Sequence, residues 1–158
     1  MWRWLAVLLV AVTGCGGGSS RSLAIGSSAP DFSLPGVDGK THTLAEYQSS
    51  RVLAIVFTCN HCPASQQYEN RLRKLDQDYR QKGVTLVAIN SEHADAVPLS
   101  DLAYSDVGDS LADMKARAAH RHLEYPYLYD GDTQGLAAKF GVETMPHVFV
   151  FDEQRKLR

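Results

Sequence analysis

The 158-residue chain has only three cysteines, Cys15, Cys59 and Cys62, too few for a disulfide scaffold. It has no run of five like charges, and sixteen Lys and Arg stand against eighteen Asp and Glu for a net charge of -2. Neither a nucleic-acid footprint nor an acidic interaction tail is supported. There is no glycine fingerprint for nucleotides, no internal repeat, and no low-complexity segment beyond a short glycine and serine run near the start. No apolar run reaches the roughly 20 residues that cross a bilayer as a helix. At this length, with 44% hydrophobic residues, one domain with an ordinary core is expected and two are not. What these exclusions leave is a cysteine pair: Cys59 and Cys62 stand at CxxC spacing, which puts redox or metal chemistry first.

The first residues read as sorting information. Arg3 precedes an apolar stretch from Leu5 to Val12, the length of a signal-peptide core. Val12-Thr13-Gly14-Cys15 follows and resembles the bacterial lipobox, in which the cysteine is lipidated and becomes the new N-terminus. Residues 1–14 are therefore assigned to a lipoprotein signal peptide. Residues 15–24 form a Gly/Ser tether, because glycine and serine neither pack nor stiffen a chain. Residues 25–158 make up the folded domain.

Within that domain, Ala29–Leu34 and Lys40–Leu44 flank the turn-rich Pro35–Gly39 and predict a β-hairpin. Val52–Phe57 and Val84–Ile89 are apolar without alternation, as in strands covered on both faces of a parallel sheet. Tyr68, Leu75 and Tyr79 join Leu72 on one stripe of an intervening helix, with Glu69, Arg71, Arg73 and Lys74 on the other side and Gly83 as its stop. The result is a βαβ unit with a right-handed crossover. Beyond the polar stretch from Glu92, either Asp109 or Ser110 caps a helix running to about His122, with Leu111, Met114 and Ala118 inward. Tyr127–Tyr129, a short helix from Gly135 to Phe140 and a strand at His147–Phe151 complete an α/β fold. Asp152–Lys156 reads as a hairpin turn, yet only Leu157 and Arg158 remain to pair after it. Either the C-terminus is incomplete, or that sheet edge is left open or covered by something else.

The chemistry is expected in Thr58-Cys59-Asn60-His61-Cys62-Pro63, between a buried strand and a helix start. Unpaired N–H groups and the helix dipole favour a thiolate there. Cys59 is expected to be the exposed, low-pKa nucleophile and Cys62 the more buried resolving thiol. His61 is expected to tune Cys59 through its N–H or positive charge, making the pair more oxidising, and not to act as a base.

These residues carry a resemblance that covers most of the domain. Ala29-Pro30-Asp31-Phe32, Asp38-Gly39-Lys40 in the hairpin turn, the strand entering Cys59-Asn60-His61-Cys62-Pro63, and Thr144-Met145-Pro146 before the last strand resemble the AhpC/TSA-type redoxin branch of the thioredoxin-like superfamily. The resemblance implies a thioredoxin-like fold, a central mixed β-sheet flanked by helices with an N-terminal β-hairpin. It implies that Pro146 is a cis-proline lying against the CxxC, and that Thr144 and Met145 offer backbone hydrogen bonds to substrate. The activity implied is thiol–disulfide exchange through Cys59 and Cys62. Two departures stand out. No acid occurs in Val52–Phe57 to accept the proton of Cys62, and Glu92 and His93 are substitutes that read more simply as solvated loop residues. The peroxiredoxin frame Pro-x-x-x-Thr/Ser-x-x-Cys places Val52 and Val56, or Ile55 and Cys59, where proline and hydroxyl are required, so ordinary peroxidase activity is disfavoured.

The alternative from another class is copper or zinc delivery by Cys59, Cys62 and a histidine, with His93 and His147 the candidates beside His61. His42, His120 and His122 read as surface residues. The expected partners are a disulfide or dithiol protein substrate, a redox partner that recharges the pair, and a membrane reached through the lipid on Cys15. Nucleic acid, a cofactor and a resident metal are not expected, and a monomer is. The location is the bacterial cell envelope, facing the periplasm or exterior. Changing Cys15 to Ser should release the protein into the soluble fraction, because lipid chains supply the anchoring; unchanged membrane association would contradict the lipobox reading.

Overall fold

The structure is a computed structural model that describes residues 22–95 and 108–158. The signal peptide, Cys15 and most of the tether lie outside the described residues, as does much of the polar stretch beyond Asp95. In chain order the elements are β1 (Ser33–Pro35), β2 (Thr41–Thr43), β3 (Val52–Thr58), α1 (Pro63–Tyr79), β4 (Val84–Asn90), α2 (Leu111–Arg121), β5 (Tyr127–Tyr129), α3 (Gly135–Phe140) and β6 (His147–Phe151). β1 and β2 form the expected antiparallel hairpin. The main sheet has the order β5-β4-β3-β6, with β6 antiparallel and the other pairs parallel.

The register of this sheet assembles the site. β3 and β4 pair without a slip from Val52 opposite Val84 to Thr58 opposite Asn90, so the segments that follow both strands open at one edge. β6 runs the other way and meets that edge with its start, His147 opposite Phe57, which brings the residues before it to the same place. Side chains alternate across the sheet. Leu53, Ile55, Phe57 and Ile89 pack on one face with Phe140, Phe149 and Phe151. Ala54, Val56, Leu86 and Ala88 pack on the other with Met114, Ala118, Tyr125 and Tyr127. Edge-to-face contacts of Phe140 with Phe57 and Phe149, centroids 5.1 and 4.9 Å apart, fix α3 against the first face.

Four expectations are corrected. The inward face of α1 is not the aromatic stripe: Tyr68, Leu75 and Tyr79 are 45%, 39% and 46% exposed, while Ser65, Glu69 and Asp76 are buried. Of the predicted stripe only Leu72 packs against the core. The reason is pairing, since Arg117 and Arg121 of α2 both reach Glu69, and Arg80 reaches Asp76. Cation–π contacts from Arg71 and Lys82 cover the outward rings of Tyr68 and Tyr79. Second, the stop at Gly83 is present with a left-handed φ of 84°, but α1 itself ends at Tyr79 and a short 3-10 turn, Arg80–Lys82, fills the interval. Third, His42 is no free surface residue, because its ring joins Asp38, Glu46 and the Tyr47 hydroxyl inside the hairpin region. Fourth, the turn after β6 does find pairing partners: Leu157 bridges Phe151, Lys156 bridges Ser28, and Leu157 is buried.

Ser110 is the N-cap of α2, its hydroxyl accepting from the Asp113 N–H at 3.1 Å while Asp113 accepts in return. This resolves the choice between Asp109 and Ser110 and leaves the Asp109 carboxylate free for other partners. Removing Glu69 leaves Arg117 and Arg121 without their shared carboxylate. Glu69→Ala is therefore expected to cost about 2–3 kcal/mol in urea unfolding, and Tyr68→Gln to stay within about 0.5 kcal/mol; the reverse ranking would contradict the corrected face.

Candidate functional site

α1 begins at Pro63 with Cys62 as its N-cap, so Cys62 and not Cys59 stands at the helix entrance. Proline suits this first position because its missing N–H would be unpaired anyway. Both cysteines are free thiols. Their expected exposure is reversed: Cys59 is buried at 5% and Cys62 is the more open of the two. The expected depressed pKa is also overturned. Burial pushes the Cys59 thiol up to about 12, with Asp109 adding to the rise against the bonds from Ser65 and the Cys62 N–H. The Ser65 hydroxyl lies 3.7 Å from the sulfur.

A groove of about 520 Å³ opens over the pair, lined by Cys59, His61 and Cys62 together with Thr144 and Met145. The predicted cis peptide joins Met145 to Pro146. Ser91 and Glu92 follow β4 into the same groove, and the Ser91 hydroxyl oxygen is buried without a hydrogen-bond partner among the described residues. Of the two substitute acids and bases, Glu92 is at the site. His93 is not, being exposed and 3.7 Å from Asp95. His147 stacks on Phe149, ring centroids 4.3 Å apart, and is not on the groove wall. His120 and His122 are exposed as expected.

The residues that sequence reasoning missed lie beneath the loop. Asp109, fully buried, accepts from the Asn60 backbone N–H at 2.6 Å and from Asn90 Nδ2 at 2.8 Å, and pairs with His61 Nδ1 through its other oxygen. Asn60, also fully buried, donates from its side chain to the Gly108 carbonyl at 2.7 Å and accepts from the Tyr127 hydroxyl at 2.9 Å. Burial and the nearby Asp109 hold that phenol well above its ordinary pKa, so it stays a donor. The CxxC loop is thus tied to β4, β5 and the entrance of α2. The only sequence signal for Asp109 was its place beside Ser110 as an equally good helix cap, which does not point to a buried role.

A ring nitrogen of His61, a carboxylate oxygen of Asp109 and the Cys59 sulfur all lie within 4.8 Å of one another. This is not the donor set that metal delivery requires. Cys62 is outside it, and the carboxylate is already committed to Asn60, Asn90 and the His61 ring.

In an unfolded chain the Cys59 thiol ionises near its ordinary value of 9.0, whereas in the folded dithiol it holds its proton until about 12. The unfolded state then binds fewer protons above about pH 9, so this group's contribution is intact below pH 9 and is lost as the pH rises toward 12. The dithiol form should therefore lose melting temperature relative to the disulfide form above about pH 9; parallel curves through that range would contradict the burial of Cys59.

Residues 25–158 match the AhpC/TSA family. The thiol-disulfide oxidoreductase ResA of Geobacillus thermodenitrificans is 27% identical over 139 residues, which is 87% of this chain and 68% of ResA. A hypothetical protein of Sinorhizobium meliloti 1021 has a crystal structure that superposes with a TM-score of 0.76 at 33% identity, covering 87% of this chain and 69% of that one. The thioredoxin domain of a thiol-disulfide oxidoreductase from Bacteroides vulgatus superposes at 0.68 with 17% identity over 86% of each chain, a likeness of fold alone.

Proposed function

The chain belongs to the AhpC/TSA family, and from that premise we propose that it is a thiol–disulfide oxidoreductase working through Cys59 and Cys62 in an exported compartment. The observation that carries this reading is the placement of both free thiols, at the strand ends of an α/β sheet, on a groove also lined by Thr144 and Met145. In such a site a thiolate of the pair attacks a disulfide sulfur, a mixed disulfide forms, and the second cysteine displaces the substrate as a thiol. Two electrons pass to the substrate and Cys59 and Cys62 become joined.

An extended polypeptide substrate would lie along Thr144 and Met145, exchanging backbone hydrogen bonds in the manner of an added strand. The unpaired Ser91 hydroxyl is a further polar group for it. A separate redox partner returns the pair to its starting state, and a lipid on Cys15 would hold this monomer to the envelope membrane through residues 15–24. Peroxide reduction gains no support, since Val52, Ile55 and Val56 sit inside β3 where the peroxidase frame needs proline and hydroxyl side chains.

Both cysteines are required for turnover. Cys59→Ser and Cys62→Ser should each lower the rate of reduction of a disulfide-linked polypeptide by at least about 100-fold, one of the two trapping a mixed disulfide. Retention of most of the activity in either variant would sink the exchange reading.

A further inference from the structure

We propose that Cys59, His61 and Asp109 form a proton relay in which the His61 imidazole takes the Cys59 proton and Asp109 holds the resulting imidazolium. The inference rests on the exchange reading above and goes beyond it by assigning Cys59 as the attacking thiol and His61 as its base. His61 is then a catalytic residue, and Asp109 a positioning residue that acts through it.

By type the three groups are a nucleophile, a base and an orienting acid, and because Nδ1 faces Asp109 the proton acceptor in the relay is Nε2. The sulfur, a ring nitrogen and a carboxylate oxygen lie within 4.8 Å of one another. Asp109 Oδ2 accepts from His61 Nδ1, which fixes Nδ1 as a donor and the ring's orientation. The carboxylate itself cannot swing away, because Asn60 and Asn90 hold its other oxygen. Cys59 needs an internal base, being buried and carrying almost no thiolate at neutral pH when water alone must take its proton.

Other titratable groups also face Cys59. Cys62 and Glu92 share the groove with it on the open side. On the far side a small cavity is lined by Glu69, Arg117 and the Tyr127 phenol, and there Glu69 is occupied by two arginines.

In the step itself the S–H bond breaks and an N–H bond forms on the imidazole. The thiolate attacks a substrate sulfur as that S–S bond breaks, and the departing thiolate takes the proton back from the imidazolium. No outside oxidant or reductant enters beyond the disulfide substrate.

The experiment measures iodoacetamide labelling of Cys59 by site-resolved mass spectrometry, together with disulfide exchange, from pH 6 to 10 in the full-length protein. The variants are His61→Gln, Asp109→Asn and the double variant, with folding checked by circular dichroism. With the relay, the wild-type Cys59 rate is nearly flat between about pH 7 and 9, because proton transfer within the relay leaves the net charge unchanged. Each variant should be slowed at least about tenfold at pH 7, then rise about tenfold per pH unit until the gap narrows. The double variant should be no slower than the worse single one. Slowing by the same factor at every pH would mark a structural role and overturn the relay, as would an unchanged profile. If Asp109→Asn does not fold, the His61→Gln profile decides alone. Exchange by the wild type alongside parallel profiles removes the relay and leaves the function standing; no exchange by the wild type removes the function.

Discussion

The structure turns on one buried carboxylate. A charge as enclosed as Asp109 costs several kcal/mol to desolvate unless donors surround it, and here the donors come from two parts of the fold: the Asn60 backbone and His61 ring from the CxxC loop, the Asn90 side chain from the end of β4. The in-register pairing of β3 with β4 brings the loop and Asn90 together, and the capping of α2 by Ser110 frees Asp109 to reach them. Removing the charge would leave a buried backbone N–H and a buried amide without an acceptor. Loop shape, helix entrance and strand register are therefore mutually dependent at this point.

The same arrangement explains why the site differs from a dipole-activated cysteine. Helix N-termini stabilise thiolates chiefly within the first turn. Cys62 holds the N-cap, and Cys59 lies three residues before it, under the loop and beside a negative charge. Burial and the neighbouring carboxylate both hold the proton on that thiol.

Much of the frame was legible in the sequence. The unbroken apolar runs of β3 and β4, the hairpin around Pro35–Gly39, the stops at Gly83 and Gly141 and the short elements at Tyr127, Gly135 and His147 each depend on local pattern, and each is present. Thr144 and Met145 line the groove, and the Met145–Pro146 bond is cis. What local pattern could not carry was pairing at a distance. The inward face of α1 was misread because Glu69 finds its cations 48 and 52 residues later, which makes a charged side chain the buried one. Asp109 was hidden for the same reason, 48 residues from His61 and looking like half of a cap. The exposure of the two cysteines followed from exactly where α1 starts, one residue beyond Cys62, a boundary too fine for periodicity to fix.

The central claim is that Cys59 and Cys62 are a reversible two-electron couple. It is tested most directly by equilibrating the full-length protein across a graded series of reduced and oxidised dithiothreitol and glutathione buffers, quenching with acid, and counting free thiols at each position by mass spectrometry. The account predicts one transition with a two-electron slope, in which both thiols disappear together into a Cys59–Cys62 disulfide within a single chain. Two thiols that stay free throughout, or that leave separately into mixed disulfides with the buffer, would contradict it.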